Sequence, residues 1–85
     1  KASNYNIAMN MLDEVTQKEP YNAEAFSVKG DIYYMQGDME KAMQNYAQAL
    51  KINPYCKQSC LGIAKILEQS DKPLAQKYFA RANAL

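Results

Sequence analysis

Two cysteines, Cys56 and Cys60, are the side chains best suited to covalent chemistry, and the sequence contains no histidine. Residues four apart share one face of a helix, and a helix N-terminus activates a thiol, so the pair could serve redox or metal chemistry. A zinc site needs four ligands, however, and without histidine only carboxylates are left to complete it. Cys60 also corresponds to Phe26 of the preceding internal repeat, a predicted core position. Both thiols are therefore interpreted as structural, and no cofactor or metal is predicted.

Neighbouring carboxylates are the other candidates for chemistry. Asp13 and Glu14 fall on a predicted helix surface, and Asp38 and Glu40 fall at a predicted helix start. Acid–base catalysis requires such groups in a pocket that shifts their pKa values. The sequence adds no glycine-rich phosphate loop and no nucleophile motif. The chain is therefore predicted not to be an enzyme.

The charge balance disfavours several classes of partner. Ten Lys and Arg against nine Asp and Glu give a net charge of +1, so no basic field exists to attract nucleic acid or an anionic membrane. No apolar run reaches the roughly 18 to 20 residues that cross a bilayer. Two cysteines are few for a small secreted domain, which favours a cytoplasmic location, provided that no leader or anchor has been removed.

The stretch 23–54 predicts two amphipathic helices joined by the turn Gln36-Gly37-Asp38 and ended by Pro54. Asn22 and Asp38 are predicted N-caps, and Gly37 suits the left-handed residue that ends a helix. So short a turn makes the pair an antiparallel hairpin. The buried stripe of its second helix is predicted to contain Met39, Ala42, Met43, Tyr46, Ala49 and Leu50.

The rest of the chain repeats this stretch at a fixed interval. Shifted back by one period, Ala42 falls on Ala8 and Tyr46 on Leu12; shifted forward, Gly30 falls on Ala64. A period of about 34 residues is typical of stacked helical repeats. We expect residues 1–21 to be the second helix of a truncated repeat with its cap at Ser3-Asn4, residues 22–54 a complete repeat, and residues 55–85 a repeat shortened by one residue at Ser70-Asp71. Because the chain opens without an initiator methionine, we expect a fragment of a longer protein.

The central unit resembles a tetratricopeptide repeat. The places of that family's pattern are taken by Phe26, Gly30, Tyr33, Ala42, Tyr46, Ala49 and Pro54. One departure is Lys29, where the family usually has Leu, Ile or Met. The resemblance covers the whole chain and implies an all-α fold, a right-handed superhelix of about five helices in antiparallel pairs. It also implies that the first helices of the pairs line a concave groove, which holds protein or peptide segments of a partner.

Carried onto this sequence, the family's groove positions are Glu24, Ser27, Asp31, Tyr34 and Met35 in one first helix, and Gln58, Leu61, Lys65, Glu68 and Gln69 in the next. Tyr34 is the predicted anchor for a partner, and the alternative is that these residues are merely solvated. Some members of the family clamp a C-terminal carboxylate with Asn, Lys and Arg. Those places hold Val28, Gln58 and Gly62 here, so that use is not expected.

Two functional hypotheses follow. The first is a non-catalytic interaction module of a scaffold or assembly factor, which binds a partner segment in the groove. The second is a self-association unit, a homo-oligomer that stacks or swaps through terminal helices, whose apolar faces at Tyr78, Phe79 and Leu85 are expected to be exposed. The identity of the partner does not follow from the sequence.

Overall fold

The computed structural model describes residues 2–84, which form five α-helices. These are α1 (Ala2–Lys18), α2 (Ala23–Met35), α3 (Met39–Ile52), α4 (Lys57–Leu67) and α5 (Lys72–Ala84), with no strand in the described range. Helices α2 and α3 pack as one pair and α4 and α5 as another, α3 joins the two pairs, and α1 lies on α2. The predicted all-α repeat fold of about five helices is confirmed.

Polar caps and one left-handed glycine set the limits of the central helices. The Asn22 side chain accepts a hydrogen bond from the Ala25 N–H at 3.0 Å, and the Asp38 side chain accepts one from the Lys41 N–H at 3.1 Å. Each bond satisfies an amide that has no partner within its helix. Gly37 has a φ of 85°, which only glycine adopts without strain. The predicted caps and turn are therefore confirmed.

The outer helices match the sequence pattern less evenly. Helix α5 begins directly after Asp71, whose carboxylate accepts a hydrogen bond from the Leu74 N–H at 3.2 Å, as the shortened turn predicts. Helix α1 already includes Ser3-Asn4, so the predicted cap there is wrong. Ser and Asn are tolerated in a first helical turn as well as before it, and nothing else in the sequence marks the boundary.

The core is built around the ring of Tyr46, which lies between two glycines on α2 and α4. A Cβ added to Gly30 would stand 2.6 Å from ring carbons of Tyr46, and one added to Gly62 would stand 2.3 Å from them. Ala42 and Ala49 of the same helix are fully buried, so α3 approaches its neighbours closely. Met39 is 38% exposed, which corrects its prediction as a core residue, because it is the first residue of α3 and lies beside the cap.

The departure at Lys29 has a structural reason. Its ammonium group pairs with the Asp13 carboxylate of α1 at 2.8 Å, and the Lys29 side chain is only 13% exposed. The same ammonium lies 5.6 Å from the centre of the Phe26 ring. A cation between a carboxylate and an aromatic face joins α1 to α2 where the family usually has an apolar side chain.

The two ends of the chain are less well covered than its middle. Ala8 and Leu12 of α1 are half-buried, whereas their equivalents in the next repeat, Ala42 and Tyr46, are buried. The reason is that, within residues 2–84, α1 packs against no helix other than α2. At the other end Tyr78 and Phe79 are half-buried rather than exposed, since they pack in the α4–α5 pair. Leu85 lies outside the described residues.

Candidate functional site

A cavity of about 420 Å³ opens between α2 and α4, with Tyr46 of α3 at its base. Its volume falls within the range of pockets that bind ligands. The residues that line it are Asp31, Tyr34, Met35, Tyr46, Gln58, Leu61, Gly62 and Lys65. The structure thus brings together six of the residues predicted for the groove, three from each of the two first helices.

A hydrogen-bond network holds the Asp31 carboxylate at this cavity. The Tyr46 hydroxyl donates to one carboxylate oxygen, and the Gln58 amide group donates to the other at 2.5 Å. The network joins α2, α3 and α4 through side chains alone. Asp31 is half-buried, and among the described residues it forms no ion pair. A fixed carboxylate with neutral partners is therefore presented to whatever enters the cavity.

The environment of Tyr46 keeps its hydroxyl a donor. Burial raises the pKa of this phenol far above its ordinary value, and the hydrogen bond and negative charge of Asp31 raise it further. The sequence pattern indicated Tyr46 as a core aromatic and did not indicate its contact with the groove. The one signal of this contact in the sequence was the hydroxyl of Tyr46, because Phe would serve equally well at a purely apolar core position.

The family model described as tetratricopeptide repeat matches residues 23–56, which contain α2, α3 and the turn between them. The central repeat of this chain is a tetratricopeptide repeat. Repeats of this family generally mediate protein–protein interaction. No curated protein matches the chain. Across residues 2–84, none of the helices is both long enough and apolar enough to cross a membrane.

The walls of the cavity combine apolar and charged groups. Tyr34, Met35 and Leu61 supply apolar surface, and Met35 is 58% exposed. Tyr34 also packs against the core cluster of Ala42, Tyr46 and Ile63, so part of its ring is already covered. Lys65 is exposed and lies one repeat period after Asp31, at the equivalent position of α4. The rim therefore carries one charge of each sign, contributed by successive first helices.

Four residues predicted for the groove do not line this cavity. Glu24, Glu68 and Gln69 are exposed but lie outside it. Ser27 is fully buried, and its prediction as a groove residue is corrected. Its hydroxyl lies 2.5 Å from the Ser59 hydroxyl and 3.0 Å from the Cys56 sulfur, so it forms part of the contact between α2 and α4.

The contact between the Ser27 and Ser59 hydroxyls predicts that alanine substitutions at these two positions have non-additive effects on the free energy of unfolding. Ser27→Ala leaves the buried Ser59 hydroxyl without its partner, and we expect it to lower the free energy of unfolding by about 1–3 kcal/mol. Ser59→Ala leaves Ser27 with Cys56 and costs less. The double variant is expected to lose less than the sum of the two, because neither hydroxyl then remains unpaired. Urea denaturation of the four proteins measures this, and strict additivity would contradict the pairing.

The two thiols have structural surroundings. Cys60 is fully buried, and burial raises the pKa of its thiol. Cys56 lies half-buried at the N-cap of α4, against Ser27. Within the described part of the chain, no three Cys, Asp or Glu side chains come together as metal ligands would. The arrangement fits packing between helices, which is how the sequence pattern interprets these residues.

Proposed function

We propose that the chain is a non-catalytic interaction module of a scaffold or assembly factor, which holds a segment of a partner protein in the α2–α4 cavity. The observation that supports this most is the convergence of polar and apolar side chains from two successive first helices on one cavity. Tyr34, Met35 and Leu61 offer apolar contact, while Asp31 fixes polar orientation. Apolar surface with a few oriented polar groups is the usual composition of a recognition site.

Alanine substitutions at Met35 and Tyr34 test whether a peptide binds in the cavity. Peptides are selected on the full chain from a random displayed library, and their affinities are measured by fluorescence anisotropy. We expect Met35→Ala to weaken binding at least severalfold, and Tyr34→Ala to weaken it by about tenfold or more, because aromatic anchors dominate such interfaces. Since Tyr34 also packs on the core, the folding of that variant is checked by circular dichroism.

The chain offers a matched control for this experiment. Met39 is also an exposed methionine, but it lies on α3 outside the cavity. Met39→Ala should leave peptide affinity unchanged. Equal losses at Met35 and Met39 would show that the peptides bind elsewhere or respond to general stability. Failure of the library to yield any binder of the folded chain would count against the proposed function itself.

A second candidate function is self-association through α1. Ile7 and Met11 are one helical turn apart on α1, and they are 61% and 64% exposed. A second copy that covered this face would also cover the half-buried Ala8 and Leu12. Sedimentation velocity over a concentration series decides between the candidates. A dimer that Ile7→Lys abolishes favours self-association, and a monomer at all concentrations excludes it.

A further inference from the structure

Asp31 brings to the cavity a negative charge that forms no ion pair among residues 2–84, although Lys65 lines the same cavity. Both oxygens of the Asp31 carboxylate accept hydrogen bonds, but the donors, Tyr46 and Gln58, are neutral. The ion pairs found among residues 2–84 join Lys18 to Glu14 and Lys29 to Asp13, so neither involves Asp31. Each carboxylate oxygen accepts more than one hydrogen bond. Asp31 therefore retains acceptor capacity that is already oriented.

The surroundings of Asp31 suit one kind of side chain. Tyr34 and Leu61 line the same cavity and provide surface for an aliphatic stem, and the face of Tyr34 can stack on a planar cation. A guanidinium group matches a carboxylate with paired donors, whereas an ammonium group acts as a compact point charge. An apolar side chain would fill the cavity but would displace water from the carboxylate without replacing its hydrogen bonds.

The geometry points to a partner segment that places an arginine side chain in the α2–α4 cavity with its guanidinium on Asp31. This inference rests on the proposed function, since it specifies what the interaction module recognises. Lys65 extends it: as the equivalent residue of α4, exposed and without an ion pair in the described chain, it is positioned to receive an acidic side chain of the same segment. The ligand is thus a peptide with a basic and an acidic residue close together, and charge pairing sets its orientation.

The test uses a random peptide library displayed on phage and selected in parallel against three forms of the full chain. On the wild-type chain we expect one arginine position to be enriched about tenfold or more, as a charge-assisted contact of this kind discriminates. Asp31→Asn, which keeps an acceptor for Tyr46, should lose that enrichment. Glu24→Gln removes an exposed carboxylate of the same helix outside the cavity, so it should retain the enrichment.

A second measurement does not depend on the folding of any variant. The arginine of the strongest selected peptide is replaced by citrulline, which keeps the shape and removes the charge. We expect the affinity for the wild-type chain to fall about tenfold, and to fall less in high salt, where charge pairing is screened. Lysine at the same position should bind less tightly than arginine.

The outcomes separate the inference from the function on which it rests. Peptides that bind in the cavity, as shown by their sensitivity to Met35→Ala, but show no arginine enrichment or tolerate citrulline, overturn the inference and leave the proposed function intact. Enrichment that persists with Asp31→Asn also overturns it. If no peptide binds the folded chain, the proposed function fails and the inference fails with it.

Discussion

Gly62→Ala is expected to destabilise the protein by about 2 kcal/mol, although it replaces a helix breaker by the best helix former. In the interior of α4, the change to Ala gains about 1 kcal/mol of helix propensity. Against this, the new Cβ would stand 2.3 Å from the Tyr46 ring. Overpacking of a well-filled core costs about 1–3 kcal/mol. We expect the clash to cost the upper end of that range, because the ring has little room to move. The gain in helix propensity offsets part of this cost and leaves the net loss of about 2 kcal/mol.

The ring of Tyr46 is confined from two sides and tethered at its tip. Gly30 lies on the other side, where an added Cβ would also approach to 2.6 Å. The hydroxyl is hydrogen-bonded to Asp31, so a shift of the ring also strains that contact. For a domain of this size, about 2 kcal/mol corresponds to a fall of roughly 10 °C in the melting temperature. Thermal unfolding followed by circular dichroism measures it.

Two controls distinguish this clash from a general intolerance of alanine. In a Tyr46→Leu background the ring is gone, and Gly62→Ala should then stabilise the protein by up to about 1 kcal/mol. Leucine is a reasonable choice because Leu12 occupies the equivalent place in α1. Gly37→Ala should cost about 1 kcal/mol in both backgrounds, since its left-handed backbone and not a neighbour sets the penalty. If Gly62→Ala lowered the stability equally in the wild-type and Tyr46→Leu backgrounds, the steric explanation would be refuted.

These glycines also show how far the sequence predicts the fold. The role of Gly30 could be predicted from the sequence: it shares a helix face with Phe26 and Tyr33, and its small size there indicates that another helix approaches closely. Gly62 lacked such a signal, because the atoms that exclude a side chain there belong to Tyr46 on the preceding helix. Periodicity predicts which face of a helix is buried. It does not predict which side chain from another helix fills a given space.

The site shows the same limit. The family resemblance implied which residues of α2 and α4 share a groove, and six of them line the cavity. The repeat period by itself says only which positions of the two helices are equivalent. The resemblance also implied that Ser27 lines the groove, whereas in the structure the small Ser27 lies opposite Ser59 and allows the two helices to touch there. Tyr46 was missed because a sequence pattern treats its ring and its hydroxyl as one unit. In the structure the ring belongs to the core and the hydroxyl to the groove.

Tyr46→Phe separates these two roles, and we expect it to lower the free energy of unfolding by about 1.5 kcal/mol near neutral pH. The substitution keeps the ring between its glycines and removes only the donor to Asp31. Hydrogen bonds to charged groups contribute about 1.5–3 kcal/mol, and the half-exposed carboxylate recovers part of this from water. The matched control is Tyr33→Phe: Tyr33 packs on the same core but has no side-chain hydrogen bond among the described residues.

The difference between wild type and Tyr46→Phe should shrink in alkali, and this pH dependence is the sharper test. Burial and the Asp31 contact raise the pKa of Tyr46 above its unfolded value of about 10. A raised pKa means that the stability from this group is complete below that value. Above it, the unfolded chain releases a proton that the folded chain keeps, so wild type loses up to about 1.4 kcal/mol per pH unit from this residue, and the Tyr46→Phe variant loses none. Urea denaturation of both proteins from neutral to alkaline pH gives the two curves; a constant gap between them would show that the pKa of Tyr46 is not raised in the folded protein.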